Sequence, residues 1–198
     1  MNPFTETEYD GDVFQDVEYS GKQVESITFY NCIFRSCDFS ETIFKSCKFY
    51  DCEFEKCNMS VIGIKDCSFS NIVFTKTKII GVNWSEARWQ KMMVRCSLQF
   101  QECNLNHSTF IGLNLKGVLV RNSTSRDVDF RESDLTNADF QYTDLTGSLF
   151  LNTNLTNVDF CHATNYSISA TSNNAKNTRF MLPEAMSLLY CLDIILVE

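Results

Sequence analysis

The sequence predicts an all-β solenoid, a chain that coils around one axis and turns within each short repeat. Phenylalanines recur every five residues along most of the 198-residue chain, and the usual turn signals are scarce, with two prolines and seven glycines. A period of five matches neither an α-helix, with about 3.6 residues per turn, nor a strand, which alternates every 2 residues. With 44% apolar side chains, the chain is long enough to bury one substantial core.

The five-residue period runs in two blocks. The first starts at Phe29 and steps by five to Val94, and every residue on it is apolar. The second starts at Phe100 and steps to Phe160, with a single polar member. The step between the blocks is one residue too long, and we interpret it as a one-residue bulge near 95–99 that shifts the register without breaking the coil.

Blocks such as ADFQY, TDLTG and TNLTN resemble the pentapeptide repeat family, whose pattern is a small residue, Asp or Asn, Leu or Phe, and two variable residues. The resemblance covers roughly residues 27–160. It implies a right-handed quadrilateral β-helix, in which each pentapeptide forms one side of a square coil and four complete a turn. With the bulge included, one inward column is expected to contain Phe29, Phe49, Phe69, Trp89, Phe110, Phe130 and Phe150.

Three segments follow from this interpretation. Residues 1–26 form an acidic N-terminal cap, and residues 27–165 form the β-helix with its bulge. Residues 166–198 form an irregular C-terminal segment with a short helix and a dimerisation tail.

Most of the ten cysteines lie two residues before a repeat centre, where a small inward-facing side chain is expected; these are Cys32, Cys37, Cys47, Cys52, Cys57, Cys67 and Cys103. Their spacing places successive thiols on different sides of the coil, whereas zinc ligands converge on one point. Cysteines one turn apart are close enough for a disulfide bond, although a reducing compartment keeps thiols from forming one. We interpret these cysteines as buried apolar filler, and we predict no metal and no cofactor.

The formal net charge of −8 opposes direct binding to nucleic acid. Acidic residues recur along the second half of the coil, at Asp127, Asp129, Glu132, Asp134, Asp139 and Asp144. Singly, each is a solvated turn residue. Together, they give a narrow rod a negative field that a DNA-binding groove would accept, and we predict a partner-binding surface there.

A basic stretch before the bulge is a second candidate contact patch, with Arg88, Lys91, Met92 and Arg95, although a distorted structural coil is the simpler explanation. His107 and His162 fall at turn positions, and a filled coil offers no pocket for catalysis. The sequence therefore predicts a protein that is not an enzyme.

The period ends before the segment MLPEAMSLLYCLDIILVE. Pro183 suits the first turn of a helix, and Glu184 suits the positive end of its dipole. One interpretation is a helix that caps the open end of the solenoid. We favour a symmetric homodimer joined through an apolar face made of Met186, Leu189, Tyr190, Leu192, Ile194 and Ile195.

The tail SLLYCLDI, which closes a coil of pentapeptides, is similar to that of the quinolone-resistance (Qnr) and albicidin-resistance proteins, which protect topoisomerases. The segment GVNWSEARW resembles the albicidin-resistance branch. This resemblance implies a non-enzymatic DNA mimic that binds DNA gyrase or topoisomerase IV and shields it from a poison. A scaffold or regulatory module with another partner is the alternative. Because no signal peptide and no long apolar run is present, we expect a cytoplasmic protein that does not bind membranes.

Overall fold

The structure, a computed structural model, describes residues 3–89, 98–192 and 194, without the side chains of residues 190 and 191. Its strands are three or four residues long and pair only in parallel. They are β1 Glu8–Asp10, β2 Val13–Gln15, β3 Gln23–Glu25, β4 Thr28–Tyr30, β5 Ile33–Arg35, β6 Ile43–Lys45, β7 Lys48–Tyr50, β8 Glu53–Glu55, β9 Ser68–Ser70, β10 Ile72–Thr75, β11 Leu98–Gln101 and β12 Leu119–Arg121. Short 3-10 helices span Trp84–Glu86 and Glu184–Leu192.

Strands pair with a constant offset of 20 residues through the first part of the chain. Strand β4 pairs with β1 on one side and with β7 on the other, and β7 pairs in turn with β9. This pairing aligns Tyr9, Phe29, Phe49 and Phe69. Isolated parallel bridges continue the offset further on, as at Asp139 and Asp159. Four five-residue sides therefore make one turn, and the predicted β-solenoid of pentapeptide repeats is confirmed.

Each corner of the coil is formed by the residue two positions after a repeat centre. These residues adopt a left-handed backbone, with φ of 51° at Asn31 and 59° at Asn157. Asn, Asp and Gly tolerate this conformation best, and many corner residues are of these three types, although Val61 and Tyr142 adopt it too.

The inward side chains stack in columns along the coil. The rings of Phe34 and Phe54 lie 4.6 Å apart at an interplanar angle of 7°. In the second half, Phe130 stacks on Phe150 and Phe140 on Phe160, both at 5.3 Å, so rings occupy two sides of the coil while leucines fill the others.

The predicted register between the two blocks is wrong. Phe74 pairs with Phe100, and Val82 bonds to Ser108 at a separation of 26 residues, so this turn contains six residues more than a regular turn. A one-residue bulge does not provide them; most of the predicted bulge lies outside the described residues.

The predicted inward column consequently divides in two. Trp84, not Trp89, stacks on Phe110, with 5.6 Å between ring centroids and an interplanar angle of 9°. Trp89 is half-buried beside Phe69, at 6.3 Å. Phe29, Phe49 and Phe69 thus belong to one column, and Trp84, Phe110, Phe130 and Phe150 belong to the next.

The coil extends beyond both predicted boundaries. Residues 1–26 contain strands β1 to β3, which pair with the following turn, and Phe4 is buried against their aromatic side chains. At the other end, Phe180 stacks on Phe160 at 5.4 Å, and Asn174 bridges to Asn154. Among the described residues, no helix has the length and apolar character needed to cross a membrane.

Candidate partner-binding surface

The inward cysteines make structural hydrogen bonds. Cys47, Cys52 and Cys67 are fully buried, and each thiol lies within bonding distance of a main-chain carbonyl 23 residues earlier. Burial raises the pKa of Cys52 to about 12 and that of Cys103 to about 11. The eight cysteines with described side chains are free thiols, and no described cluster of His, Cys, Asp and Glu has the arrangement of a metal site.

The predicted acidic row lies on the outside of the coil, and four of its members cap turns. Asp129, Asp134, Asp139 and Asp144 each directly precede an inward centre. Each carboxylate accepts the main-chain N–H two residues further on, at 3.0 to 3.1 Å. These contacts fix the side chains against the coil, as expected for Asp beside a tight turn.

Cations neutralise the same four carboxylates. Arg131 forms a fork on Asp129, with Nη2 to Oδ2 at 2.7 Å, and Lys116 reaches Asp134 at 3.2 Å. The other two pairs are Arg121 with Asp139 and Arg126 with Asp144. Paired charges of opposite sign produce a weak external field, so this row presents less negative charge than its sequence indicates.

The lowered pKa values of Asp129 and Asp144 show that hydrogen bonds stabilise their ionised forms. The hydrogen bond from Arg131 lowers the pKa of Asp129. Burial opposes ionisation of Asp144, but hydrogen bonds from Thr146, Asn165 and Arg126 outweigh it and hold the pKa well below its ordinary value. Both residues therefore stabilise the fold as anions.

Asp127 and Glu132 differ from the rest of the row because they occupy corners and are exposed. The side chain of Asp127 is 58% exposed and lies 3.6 Å from His107 Nδ1. His162 stacks on Tyr142 at 4.4 Å, so the two histidines occupy separate surface positions.

The first turn carries a group of exposed carboxylates that was predicted only as part of a cap. Its members are Glu6, Glu8, Asp10, Asp12, Asp16 and Glu18. None of them forms a salt bridge within the part of the chain that the structure describes. The acidic composition of residues 1–28 signalled this group, but the sequence interpretation stopped the coil at residue 27.

Of the predicted basic patch, only Arg88 is described; its Nε donates to Asp66 at 3.0 Å, and Lys91, Met92 and Arg95 lie outside the described residues. Of the predicted dimerisation residues, Met186, Leu192 and Ile194 are 40%, 42% and 51% exposed, and Leu189 is half-buried. The side chain of Tyr190, and Ile195, lie outside the described part.

A cavity of about 680 Å³ opens between the helix Glu184–Leu192 and the last turn, outside the filled coil. Phe150, Ile168 and Met186 contribute apolar lining, and Glu184 lies at its edge with Oε1 accepting from the Asn165 N–H at 2.5 Å. Burial, followed by the charge of Glu184, raises the pKa of Tyr166 to about 12. The expectation of a coil without any pocket therefore applies to its interior only.

A four-sided parallel coil of five-residue repeats defines the molecule as a β-solenoid. The model of the pentapeptide repeat region matches residues 27–98 and 94–160, and the chain belongs to the pentapeptide repeat family. A search of curated proteins found no match.

Several solved structures share the fold. A trypsin-treated variant of QnrB1, a plasmid-mediated fluoroquinolone resistance protein, is 17% identical, with a TM-score of 0.62 over 96% of this chain and 100% of that one. A second trypsin-treated QnrB1 variant is 18% identical, with a TM-score of 0.53 over 96% of this chain and 97% of that one. HetL from the cyanobacterium Nostoc, involved in regulating heterocyst differentiation, is 13% identical, with a TM-score of 0.58 over 85% and 87% of the two chains.

Proposed function

We propose that the protein is a non-enzymatic DNA mimic that binds DNA gyrase or topoisomerase IV and protects the enzyme from a topoisomerase poison. The observation that carries this proposal is the group of exposed carboxylates without salt bridges on the first turn of a narrow rod, including Glu8, Asp10 and Asp12. A basic DNA-binding groove attracts such a surface for the same reason that it attracts phosphates.

The likeness to a solved structure supports this function, and the salt bridges of the coil restrict where the contact surface lies. The similarity to variants of QnrB1, described as a fluoroquinolone resistance protein, extends over nearly the whole chain. The salt bridges of Asp129, Asp134, Asp139 and Asp144 direct the proposal toward the first turn, with Asp127 and Glu132 as a weaker secondary contact.

A supercoiling assay tests the proposal. Purified gyrase is incubated with relaxed plasmid, with and without the protein, and with and without a fluoroquinolone or albicidin. We expect the protein to restore supercoiling in the presence of at least one poison. Unchanged supercoiling under every condition would contradict the proposal.

Charge variants identify the surface used. The triple variant Glu8→Gln, Asp10→Asn, Asp12→Asn removes three carboxylates without salt bridges. A matched control, Glu25→Gln, Glu55→Gln, Glu102→Gln, changes the net charge equally at exposed salt-bridged positions. We expect the first variant to reduce protection at least about tenfold and the control to retain most of it. Equal losses would show that net charge alone is responsible.

We also propose a homodimer formed through the exposed apolar side chains of the C-terminal helix, Met186 and Leu192, and of Ile194 beyond it. Sedimentation velocity at micromolar concentration tests this assembly, and Met186→Asp with Leu192→Asp should yield a monomer. Ile43→Asp is the control, because Ile43 is 50% exposed on the side of a much earlier turn. A monomeric parent protein would contradict the dimer but not the binding of a topoisomerase.

The alternative function is a scaffold or regulatory module with a different partner. It is favoured by the salt bridges on the predicted acidic row and by the fold shared with HetL, described as a regulatory protein. A folded, pure protein that neither binds gyrase nor changes its activity would support this alternative.

A further inference from the structure

The cavity beside the helix Glu184–Leu192 has the size and the apolar wall of a site for a small molecule. Its volume of about 680 Å³ lies within the range of about 300–1,000 Å³ that such sites occupy. Phe150 and Ile168 line it and are buried, and Met186 lines it from the helix. The unbranched side chain of Met186 is 40% exposed and adapts to ligands of different shape. This wall suits a ligand with an apolar body.

Two residues that line the cavity carry buried hydroxyl groups without a hydrogen-bond partner. Neither Tyr166 Oη nor Ser187 Oγ bonds to another group within the described part of the chain. Tyr166 is 3% exposed, and its ring packs against those of Phe160 and Phe180, with centroids 5.8 and 5.5 Å away. Most buried hydroxyls are satisfied, and an unsatisfied one is costly. A ligand that bonds to such a hydroxyl therefore recovers free energy.

Glu184 supplies a negative charge at the same cavity. The carboxylate is half-buried, and it is positioned by the Asn165 N–H, which donates to Oε1. No Lys, Arg or His side chain among the described residues pairs with it. The half-buried carboxylates of Asp129 and Asp134, in contrast, each have a cationic partner. A carboxylate in this position favours a ligand with a positive charge.

The carboxylate and the tyrosine hydroxyl are close enough to serve one ligand. After burial, the charge of Glu184 is the next cause that raises the pKa of Tyr166 to about 12. The hydroxyl therefore stays protonated and neutral at physiological pH, and its oxygen remains a hydrogen-bond acceptor.

We propose that this cavity binds a small primary amine with an apolar ring. The ammonium group donates to Glu184 and to the Tyr166 oxygen, and the ring packs against Phe150, Ile168 and Met186. A primary ammonium suits these oxygens because it has three N–H donors and no acceptor. A carboxylate ligand would be repelled by Glu184. The lysine side chain of a partner protein has the same charge, but its narrow stem would leave most of a cavity of about 680 Å³ unfilled.

Two conservative variants separate binding from structural support. Glu184→Gln removes the charge but keeps a side-chain oxygen that accepts the Asn165 N–H, so the contact between the helix and the coil is retained. Tyr166→Phe removes a hydroxyl that bonds to none of the described residues and keeps the ring that packs against Phe160 and Phe180. We therefore expect the urea midpoint of Tyr166→Phe to be no lower than that of the parent.

An NMR titration of the full chain with tryptamine tests the proposal. Tryptamine carries a primary ammonium at neutral pH, as lysine does, and tryptophol is the matched probe with a hydroxyl in place of the amine. We expect tryptamine to shift the amide signals of Ile168, Ser169 and Ser187 until they saturate. Tryptophol should bind at least about tenfold more weakly, because it lacks the charge that pairs with Glu184.

The variants locate the binding groups. Glu184→Gln should lower the affinity for tryptamine to about that of tryptophol. Tyr166→Phe should lower it at least about threefold while the protein stays as stable as the parent. Glu41→Gln is the control, because Glu41 is an exposed corner carboxylate of an early turn and changes the net charge equally. It should bind tryptamine as the parent does.

Three results would overturn the assignment. The first is a titration without saturable shifts at the cavity amides, and the second is equal binding of tryptamine and tryptophol. The third is tighter binding of N-acetyl-lysine amide than of tryptamine, which would assign the cavity to a lysine side chain of a partner protein. None of these measurements involves a topoisomerase, so this proposal and the proposed function can fail independently.

Discussion

Thr77 follows Cys57 in one inward row, one turn further along the coil, and the two side chains make the same hydrogen bond. Cys57 Sγ donates to the Phe34 carbonyl at 3.3 Å, and Thr77 Oγ1 donates to the Phe54 carbonyl at 3.0 Å, each 23 residues earlier. Thr77 Oγ1 also accepts from the Cys57 N–H at 3.2 Å. The thiol and the hydroxyl thus make the same hydrogen bond between successive turns. The inward cysteines therefore fill space and also link the turns.

Replacing Thr77 measures this link. Thr77→Val keeps the shape of the side chain but leaves the Cys57 N–H buried without an acceptor. We expect a loss of about 1–3 kcal/mol in the free energy of unfolding, measured by urea denaturation. Thr77→Ser retains the hydroxyl and should lose clearly less. Equal losses in the two variants would show that the hydrogen bonds contribute little.

Thiol labelling tests the burial of the cysteines. We use a background with Cys96→Ser and Cys191→Ser, which leaves the eight cysteines whose side chains are described. Cys161 is partly exposed, and the hydrogen bond with Asp159 raises its pKa, so it should react slowly with a thiol reagent under native conditions. The seven buried thiols should react only after unfolding, because a reagent in solution does not reach a side chain inside the coil. Rapid native reaction of several thiols would contradict the inward row.

The fold was predictable because the pentapeptide period is strong and local. The same period continues backward through Tyr19, Phe14, Tyr9 and Phe4, so the first turn was also encoded, but its acidic flanks suggested a cap. The register error has an arithmetic origin. One extra residue and six extra residues shift a five-residue period by the same amount, because six is one full repeat plus one residue. The two cases differ only in which side of the coil the next repeat occupies.

The ion pairs were harder to predict than the inward residues. They depend on which residues of successive turns lie next to each other, and the five-residue period alone does not give this. Arg121 and Asp139 are separated by 18 residues, as are Arg126 and Asp144, so each cation meets a carboxylate of the next turn. A list of acids along the sequence does not show this pairing. Consequently, the predicted partner surface included several residues that the structure holds in salt bridges.

Two features disfavour any residue other than glycine at position 147: the left-handed backbone conformation and the side chain of Asp127 beside it. The φ of Gly147 is +68°, and a Cβ atom added there would lie 2.2 Å from Asp127 Oδ1. Gly112 has a similar φ of +70° but open space around it. We expect Gly112→Ala to lower the free energy of unfolding by about 1–2 kcal/mol and Gly147→Ala to lower it further.

A second substitution separates the two effects at this corner. In the Gly147→Ala background, Asp127→Ala removes the clashing carboxylate, and stability should return to the level of Gly112→Ala. Urea denaturation of the two single variants and the double variant gives the coupling between the residues. Additive losses would show that Asp127 moves aside without cost.

Acid should destabilise the fold through the capped carboxylates. The folded pKa of Asp144 lies below its unfolded value of about 3.9, because hydrogen bonds from Thr146, Asn165 and Arg126 outweigh burial. A depressed folded pKa contributes stability that is fully present above the unfolded pKa and is lost as the pH falls through the folded pKa. Stability should therefore decline steadily from about pH 5 downward.

Asp144→Asn tests the origin of this decline. The variant should be less stable than the parent at pH 7 by about 1–3 kcal/mol, because an amide accepts weaker hydrogen bonds from Arg126 and Thr146 than a carboxylate does. Its stability should also fall less steeply between pH 5 and pH 2, because the ionisable group is gone. Glu132→Gln is the control, since Glu132 is an exposed corner residue whose side chain makes no hydrogen bond to the described residues. Denaturant midpoints measured across this pH range should separate the two variants, and parallel curves for Asp144→Asn and the parent would show that Asp144 does not set the acid limit.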